Sequence, residues 1–301
     1  IIFGILAVFL LIDDEHNSLI EVFQILAVFT VAAIRLLPMA NLIMVNILNI
    51  RHSRHTVDIL YDDLNLTNFE GEEIISQKEK FECIELKNVY FKYPGTQKYV
   101  LENLNLKIQK KEFIGISGKS GSGKTTLINC ILGLINPEKG EVIFNNTYDL
   151  NFKNRKKFES SYIPQQLFFL DDKIITNITL EADEKSIDLN HLYSCIEKVK
   201  LTKLINELPN GLNTEIGERG IRLSGGQAQR IVLARALYHN SNFLVMDEAT
   251  NELDLNTEES IISEIKELRE ELTLIIISHR PETLKICDKV YKFNAGKLTE
   301  I

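Results

Sequence analysis

Gly118-Lys-Ser-Gly-Ser-Gly-Lys-Thr125 is the stretch that decides the fold of this chain. Its glycines let the backbone turn tightly enough for successive amides to face one point, a nest suited to an anion. Phe113–Ile116 before it is a short apolar strand candidate, and Leu127, Ile131 and Leu134 after it repeat at helical spacing. Strand, glycine loop and helix in that order form a phosphate site, because the helix N-terminus adds partial positive charge to the amides. Gly118, Lys119, Ser120, Gly121, Ser122, Gly123, Lys124, Thr125 and Thr126 are the expected nucleotide-binding residues. Lys124 is expected to neutralise the β- and γ-phosphates and Thr125 to ligate Mg²⁺ through its hydroxyl.

Phe243-Leu-Val-Met-Asp247-Glu248 supplies the second half of such a site. Its apolar residues suit a buried strand, and a carboxylate at the strand's C-terminal end can meet the metal. Asp247 takes that role, which leaves Glu248 to polarise the attacking water. Leu272–Ile277 is a second continuously apolar run, as expected for another buried parallel strand. Ile84, Leu86, Val89 and Phe91 suggest a further strand, with a turn near Pro94-Gly95. Val290–Phe293 and Lys297–Ile301 flank Asn-Ala-Gly and read as a closing hairpin.

Leu223-Ser-Gly-Gly-Gln227 is rarer by chance than the phosphate loop. A glycine turn ahead of a helix at Gln227–Tyr238 explains its glycines alone. With the phosphate loop and the Asp247–Glu248 strand, it resembles the nucleotide-binding domains of ATP-binding cassette (ABC) proteins across residues 81–301. That resemblance implies an α/β fold of the P-loop NTPase type, with a mixed sheet core, an antiparallel β subdomain and a helical subdomain. It also implies ATP and Mg²⁺ as ligands and an ATPase that works as a dimer. ATP is then held between one phosphate loop and Ser224, Gly225, Gly226 and Gln227 of a second copy. Closure of the two copies favours an outward-facing membrane domain, and hydrolysis resets it.

Further residues are carried over from the same resemblance. Tyr93 matches the aromatic that stacks on adenine. Gln165 matches the glutamine that links Mg²⁺ and water to the membrane domain, with Gln166 the alternative. His279 matches the histidine on the γ-phosphate, and Asn251–Asp254 the loop that crosses the dimer interface. Glu248, His279, Gln165 and Lys124 make up the catalytic set, and Thr125, Gln165 and Asp247 the metal set. The interface loop departs from the usual Ser-Ala-Leu-Asp, and Ala228 stands where a basic residue is common. Glu215–Gly220 resembles the cross-linking loop of exporters. Phe168, Phe169 and Leu170 suit either a groove for a membrane-domain helix or the core of the helical subdomain.

The chain has 301 residues, 45% of them hydrophobic, and a net charge of −8. That acidic balance disfavours a nucleic-acid partner, which needs clustered Lys and Arg. Cys83, Cys130, Cys195 and Cys287 are scattered and read as reduced thiols, so the nucleotide site is expected in the cytoplasm. His52 and His55 read as surface residues rather than metal ligands.

Leu19–Leu37 is almost wholly apolar and, as a helix, reaches about 28 Å, close to a hydrocarbon core. Residues 1–12 form a shorter apolar run ahead of an acidic loop, so the sequence reads as a fragment that begins midway through a transmembrane helix. Arg35, Arg51 and Arg54 place the segment beyond the span on the inner side. Helical spacing continues past Pro38 to Leu60. The expected domains are therefore a C-terminal part of an exporter's transmembrane region at 1–61, a linker at 62–80 and an ABC ATP-binding domain at 81–301.

A hydrophobic helix ahead of the cassette favours a half-transporter over a soluble ABC ATPase or a detached importer subunit. Residues 33–62 resemble the last helix and linker of flippases for lipid-linked oligosaccharides. The expected function is ATP-driven flipping of a lipid-linked glycan at a bacterial inner membrane, with peptide, lipid or drug export as the alternative. The expected partners are a second half-transporter, most simply an identical copy, together with membrane lipids and the substrate.

Overall fold

Leu19–Leu66 forms one 48-residue helix, α1, about 72 Å long at 1.5 Å per residue. The computed structural model describes residues 19–66, 79–151, 155, 158–217, 220–221, 223–250 and 253–301. The chain divides into two compact units, residues 1–75 and 76–301. Within the first, α1 runs unbroken past Pro38 even though that residue lacks the amide that would bond to the Ile34 carbonyl. It continues five residues into the stretch expected as linker, to Leu66. Within the 38 residues Gln24–Tyr61 its most apolar 18-residue stretch reaches a mean hydropathy of 1.9, so the helix is long and apolar enough to cross a membrane. Val28, Ile34, Leu42 and Ile50 all lie open within this unit. A helix apolar on every face has a lipid or protein environment as its natural surroundings, not water.

In the second unit, β1 (Cys83–Phe91), β2 (Leu101–Gln109), β4 (Lys139–Phe144) and β5 (Tyr148–Asp149) form an antiparallel sheet in the order β2-β1-β4-β5. The apolar alternation in β1 changes parity between Leu86 and Val89. The structure shows the reason: the ladder slips there, next to Asn88 at φ 50°. One extra residue in a strand turns later side chains to the opposite face, so Ile84, Leu86 and Val89 are all buried. Asn105 Oδ1 accepts from the Asn88 amide at 3.0 Å and holds the irregularity.

The larger sheet is six-stranded, in the order β10-β9-β3-β8-β7-β6. Its members are β3 (Phe113–Ser117), β6 (Ser161–Ile163), β7 (Phe243–Asp247), β8 (Thr273–Ile277), β9 (Lys289–Asn294) and β10 (Lys297–Glu300). All neighbours are parallel except the β9–β10 hairpin, which closes through Ala295 and Gly296 at φ 46° and 80°. Positive φ at both central residues is what a two-residue hairpin turn needs. Both faces of the central strands are covered. Phe113, Leu244, Met246, Leu274 and Ile276 enter one core, while Ile114, Ile116, Phe243, Val245, Ile275 and Ile277 enter the other. That two-sided burial is why these strands read as unbroken apolar runs.

The second core also contains α2 (Lys124–Ile131) and a cluster of Phe81, Phe144, Phe158 and Phe243, with Phe81 and Phe243 ring centres 4.9 Å apart. Helix α2 stops short of Leu134, because Gly133 takes a left-handed φ of 64°. The first core carries the helical subdomain: α3 (Ile174–Thr179), α4 (Leu189–Lys198), α5 (Thr202–Glu207) and α6 (Gly225–Tyr238). Helices α7 (Leu255–Glu267) and α8 (Pro281–Leu284) follow β7 and β8. The result is an α/β fold with a mixed sheet core, an antiparallel subdomain and a helical subdomain.

Polar bonds gather where the central strands begin. The Phe113 amide donates to Asp288 Oδ2 at 2.9 Å, and the Lys111 amide to Thr273 Oγ1 at 2.9 Å. Ser161 Oγ donates to Ser241 Oγ at 2.7 Å. In the helical subdomain Asp188 caps α4, accepting from the His191 amide at 3.0 Å. Asp188→Ala is expected to lower the unfolding free energy by about 1 kcal/mol, read by urea denaturation.

Candidate active site

Strand β3 lies between β8 and β9, so the glycine loop leaves the sheet at the carboxyl ends of its strands, where ligands bind in open α/β sheets. Gly123, at φ 106°, precedes α2, and a Cβ there would come within 2.7 Å of Val100 Cγ1. Only glycine fits that position. Lys124 is 6% exposed. Its ammonium donates to the carbonyls of Gly118 at 2.7 Å and Lys119 at 3.1 Å, so the loop wraps its own lysine. Ser122 Oγ is buried and has no hydrogen-bond partner among the described residues.

The ends of β7 and β8 bring two more groups beside the loop. Glu248 turns off β7 in the left-handed region, at φ 51°, and its amide donates to the Ile277 carbonyl at 3.0 Å. Its Oε1 lies 3.0 Å from His279 Nε2 and 3.5 Å from Lys124 Nζ. A non-glycine residue at positive φ costs on the order of 1 kcal/mol or more, and such strain clusters at functional sites. Asp247 Oδ2 accepts from Thr125 Oγ1 at 3.3 Å and from the Tyr162 hydroxyl at 2.9 Å. Burial first, then the Asp247 charge and hydrogen bond, push the Tyr162 hydroxyl well above the usual phenol range. It remains a donor throughout the physiological pH range.

Tyr93 stands beside the loop, its hydroxyl 3.0 Å from Thr126 Oγ1 and its ring edge-on to Phe91. Gln165 and Gln166 are both exposed just past β6. Among the described residues, no hydrogen bond joins Gln165 to Thr125 or Asp247. The site therefore gathers Lys124, Thr125, Asp247, Glu248 and His279, with Gln165 outside that bonded set.

Ser224–Gln227 is a separate feature. Ser224 caps α6 by accepting from the Gln227 amide at 3.4 Å, while the Ser224 amide donates to Gln227 Oε1 at 2.9 Å. This reciprocal capping box makes α6 start two residues earlier than expected. The Ser-x-x-Gln spacing carried that signal. A Cβ on Gly226 would lie 2.5 Å from Thr257 Cγ2, so the glycine permits close approach of α6 to α7. Asp254 caps α7, and hydrogen bonds from Thr257 pull its carboxyl below the usual range.

Phe168–Leu170 divides. Phe169 is buried in the first core, whereas Phe168 is 66% exposed and Leu170 borders on exposed. Arg235 on α6 holds the segment, donating to the carbonyls of Phe168 at 3.2 Å and Asn177 at 2.7 Å. Asn251, Glu252, Glu218 and Arg219 lie outside the described residues.

The donor set suits a nucleotide with a hard divalent ion. An ammonium lies in an amide-rich loop at a helix N-terminus, and a hydroxyl and a carboxylate oxygen sit 3.3 Å apart beside it. Strand, glycine loop, helix and neighbouring strand-end carboxylates define a P-loop nucleotide-binding domain. Residues 101–251 match the family model described as ABC transporter. The chain belongs to the ABC transporter family and carries its ATP-binding domain.

Similar proteins agree. The chain is 34% identical over 220 residues to an ATP-dependent lipid A-core flippase of Haemophilus influenzae, covering 72% of this chain and 37% of that protein. It is 37% identical over 222 residues to the alpha-hemolysin translocation ATP-binding protein HlyB of Escherichia coli O157:H7, covering 72% of this chain and 31% of that one. A solved bacterial Atm1-family ABC exporter with ATP bound superposes with a TM-score of 0.67 at 26% identity, covering 82% of this chain and 44% of that chain. The chain thus spans less than half the length of each of these proteins.

Proposed function

We propose that this chain is the ATP-hydrolysing half of a membrane exporter or flippase that works as a pair of cassettes, most simply two identical copies. The observation that carries the reading is the juxtaposition of Lys124, Glu248 and His279 around one point at the strand ends. The apolar stretch Gln24–Tyr61 supports attachment to a membrane, with the ATP-binding domain on the cytoplasmic side. On this reading residues 1–61 belong to a transmembrane region, 62–80 to a linker and 81–301 to the ATP-binding domain.

Each side chain then has a role. Tyr93 stacks its exposed ring on adenine. Lys124 and the loop amides neutralise the β- and γ-phosphates. Thr125, Asp247 and Gln165 would hold Mg²⁺. An ion held there would supply positive charge against the phosphates. Glu248 polarises the attacking water, and His279, 3.0 Å from it, steadies the γ-phosphate. Ser224–Gln227 serves the site of the second copy, because within its own chain it bonds to itself and packs on α7.

The substrate is read as a lipid-linked glycan. The sequence around residues 33–62 supports this, as does a relative described as a lipid A-core flippase. HlyB is the more identical of the two in the cassette, at 37% against 34%, so peptide export is the competing outcome. The test is reconstitution in liposomes of the complete exporter that this cassette belongs to, with a fluorescent lipid-linked oligosaccharide. ATP-dependent movement between leaflets is expected. Lys124→Ala should abolish it and weaken ATP binding about ten- to a hundredfold, the worth of a lost charge-assisted bond. No movement of the lipid, with ATP-dependent uptake of a peptide, would overturn the substrate reading.

A further inference from the structure

We propose that Tyr162 is a positioning residue for the metal site, holding the Asp247 carboxylate in the orientation that presents Oδ1 to the cation. This rests on the reading of Asp247 as a metal-holding residue. The two hydrogen bonds that Asp247 accepts from the described residues both land on Oδ2. That leaves Oδ1 as the unshared oxygen. Carboxylate rotation about its last torsion is soft, so an anchored Oδ2 is what fixes where Oδ1 points.

The two anchors differ. The Thr125 bond is the longer, at 3.3 Å, and its hydroxyl oxygen is itself assigned to the metal. The Tyr162 bond is 2.9 Å and comes from a rigid frame. Strand β6 pairs in parallel with β7, Tyr162 opposite Val245 and Ile163 opposite Met246. Ser161 Oγ ties the start of β6 to Ser241, just ahead of β7. A phenol is long enough to reach from opposite Val245 to the strand end at Asp247. Three residues further on comes Gln165, outside the bonded set, so the contact this strand exit makes with the site is the Tyr162 bond. Such outer partners of ligating carboxylates tune metal affinity about ten- to a hundredfold.

The experiment compares the full chain with Tyr162→Phe and Asp247→Asn. Mn²⁺ affinity is measured by electron paramagnetic resonance with a non-hydrolysable ATP analogue, and a fluorescent ATP analogue is titrated in EDTA. Tyr162→Phe is expected to weaken Mn²⁺ binding about tenfold while nucleotide affinity in EDTA stays unchanged. Asp247→Asn should weaken Mn²⁺ at least as much. If Asp247→Asn weakens Mn²⁺ and Tyr162→Phe does not, the role of Tyr162 falls and that of Asp247 stands. If neither has an effect, or Tyr162→Phe alone does, the route through Asp247 is overturned. Loss of nucleotide binding in EDTA by Tyr162→Phe would show that the tyrosine supports the loop itself, which also overturns the proposal.

Discussion

Glu248→Gln is expected to bind ATP and hydrolyse almost none, with turnover down about 10²–10⁴-fold, the usual worth of a general base. The substitution is close to isosteric. It preserves the left-handed backbone at φ 51° and the amide bond to the Ile277 carbonyl, so the strand end stays in place. What it removes is the negative charge 3.0 Å from His279 Nε2 and 3.5 Å from Lys124 Nζ. A water polarised by that carboxylate loses its base, while the phosphate grip of Lys124 loses a competitor. With ATP and Mg²⁺ the variant should therefore accumulate as a closed dimer in size-exclusion chromatography. Near-normal turnover would remove Glu248 from the catalytic set.

The second large effect is expected at Ser224. Ser224→Arg should cut hydrolysis by at least about a hundredfold, as for loss of a phosphate-binding donor, while ATP binding by the isolated chain is unchanged. The structure adds a complication, since Ser224 also caps α6 and loss of the cap costs about 1 kcal/mol. Ser224→Asp separates the two contributions. Aspartate is as good a cap as serine, but it turns a negative charge toward a phosphate. Both variants losing hydrolysis, measured by phosphate release, points to the interface between copies. Full activity of the aspartate variant would mean that the cap was all that mattered.

The residues that could be read from the sequence are those whose chemistry is local. The glycine loop, the Asp247–Glu248 strand end and the β9–β10 hairpin each occupy a few consecutive positions with distinctive side chains. Long-range pairing was not legible. Tyr162 and Asp247 are 85 positions apart and meet only because β6 and β7 are neighbours in the sheet. The Phe168 carbonyl is held by Arg235, on a helix far along the chain, and Phe169 enters a core built from distant elements, which no local pattern reveals. Helix α2 looked longer than it is because Leu134 continues its periodicity beyond the left-handed Gly133.

The double burial of β3, β7 and β8 has a cost for the site. In a sheet with one wet face, slipping a strand by one residue exposes its apolar side, and that penalty enforces alignment. Here a slip would merely exchange one core for the other, apolar residue for apolar residue, yet it would carry Asp247 about 3.3 Å along its axis, away from Thr125. Hydrophobicity therefore leaves the alignment of the catalytic groups undetermined. Polar bonds at the opposite, amino ends of the strands contribute to that alignment: Phe113 to Asp288 between β3 and β9, Lys111 to Thr273 between β3 and β8, the Thr273 amide to the Asn242 carbonyl at 2.8 Å between β8 and β7, and Ser161 to Ser241 between β6 and β7. These residues lie at the sheet edge away from the glycine loop. They act as the datum from which the far edge is measured, so damage to them should appear as misplaced chemistry before it appears as lost stability.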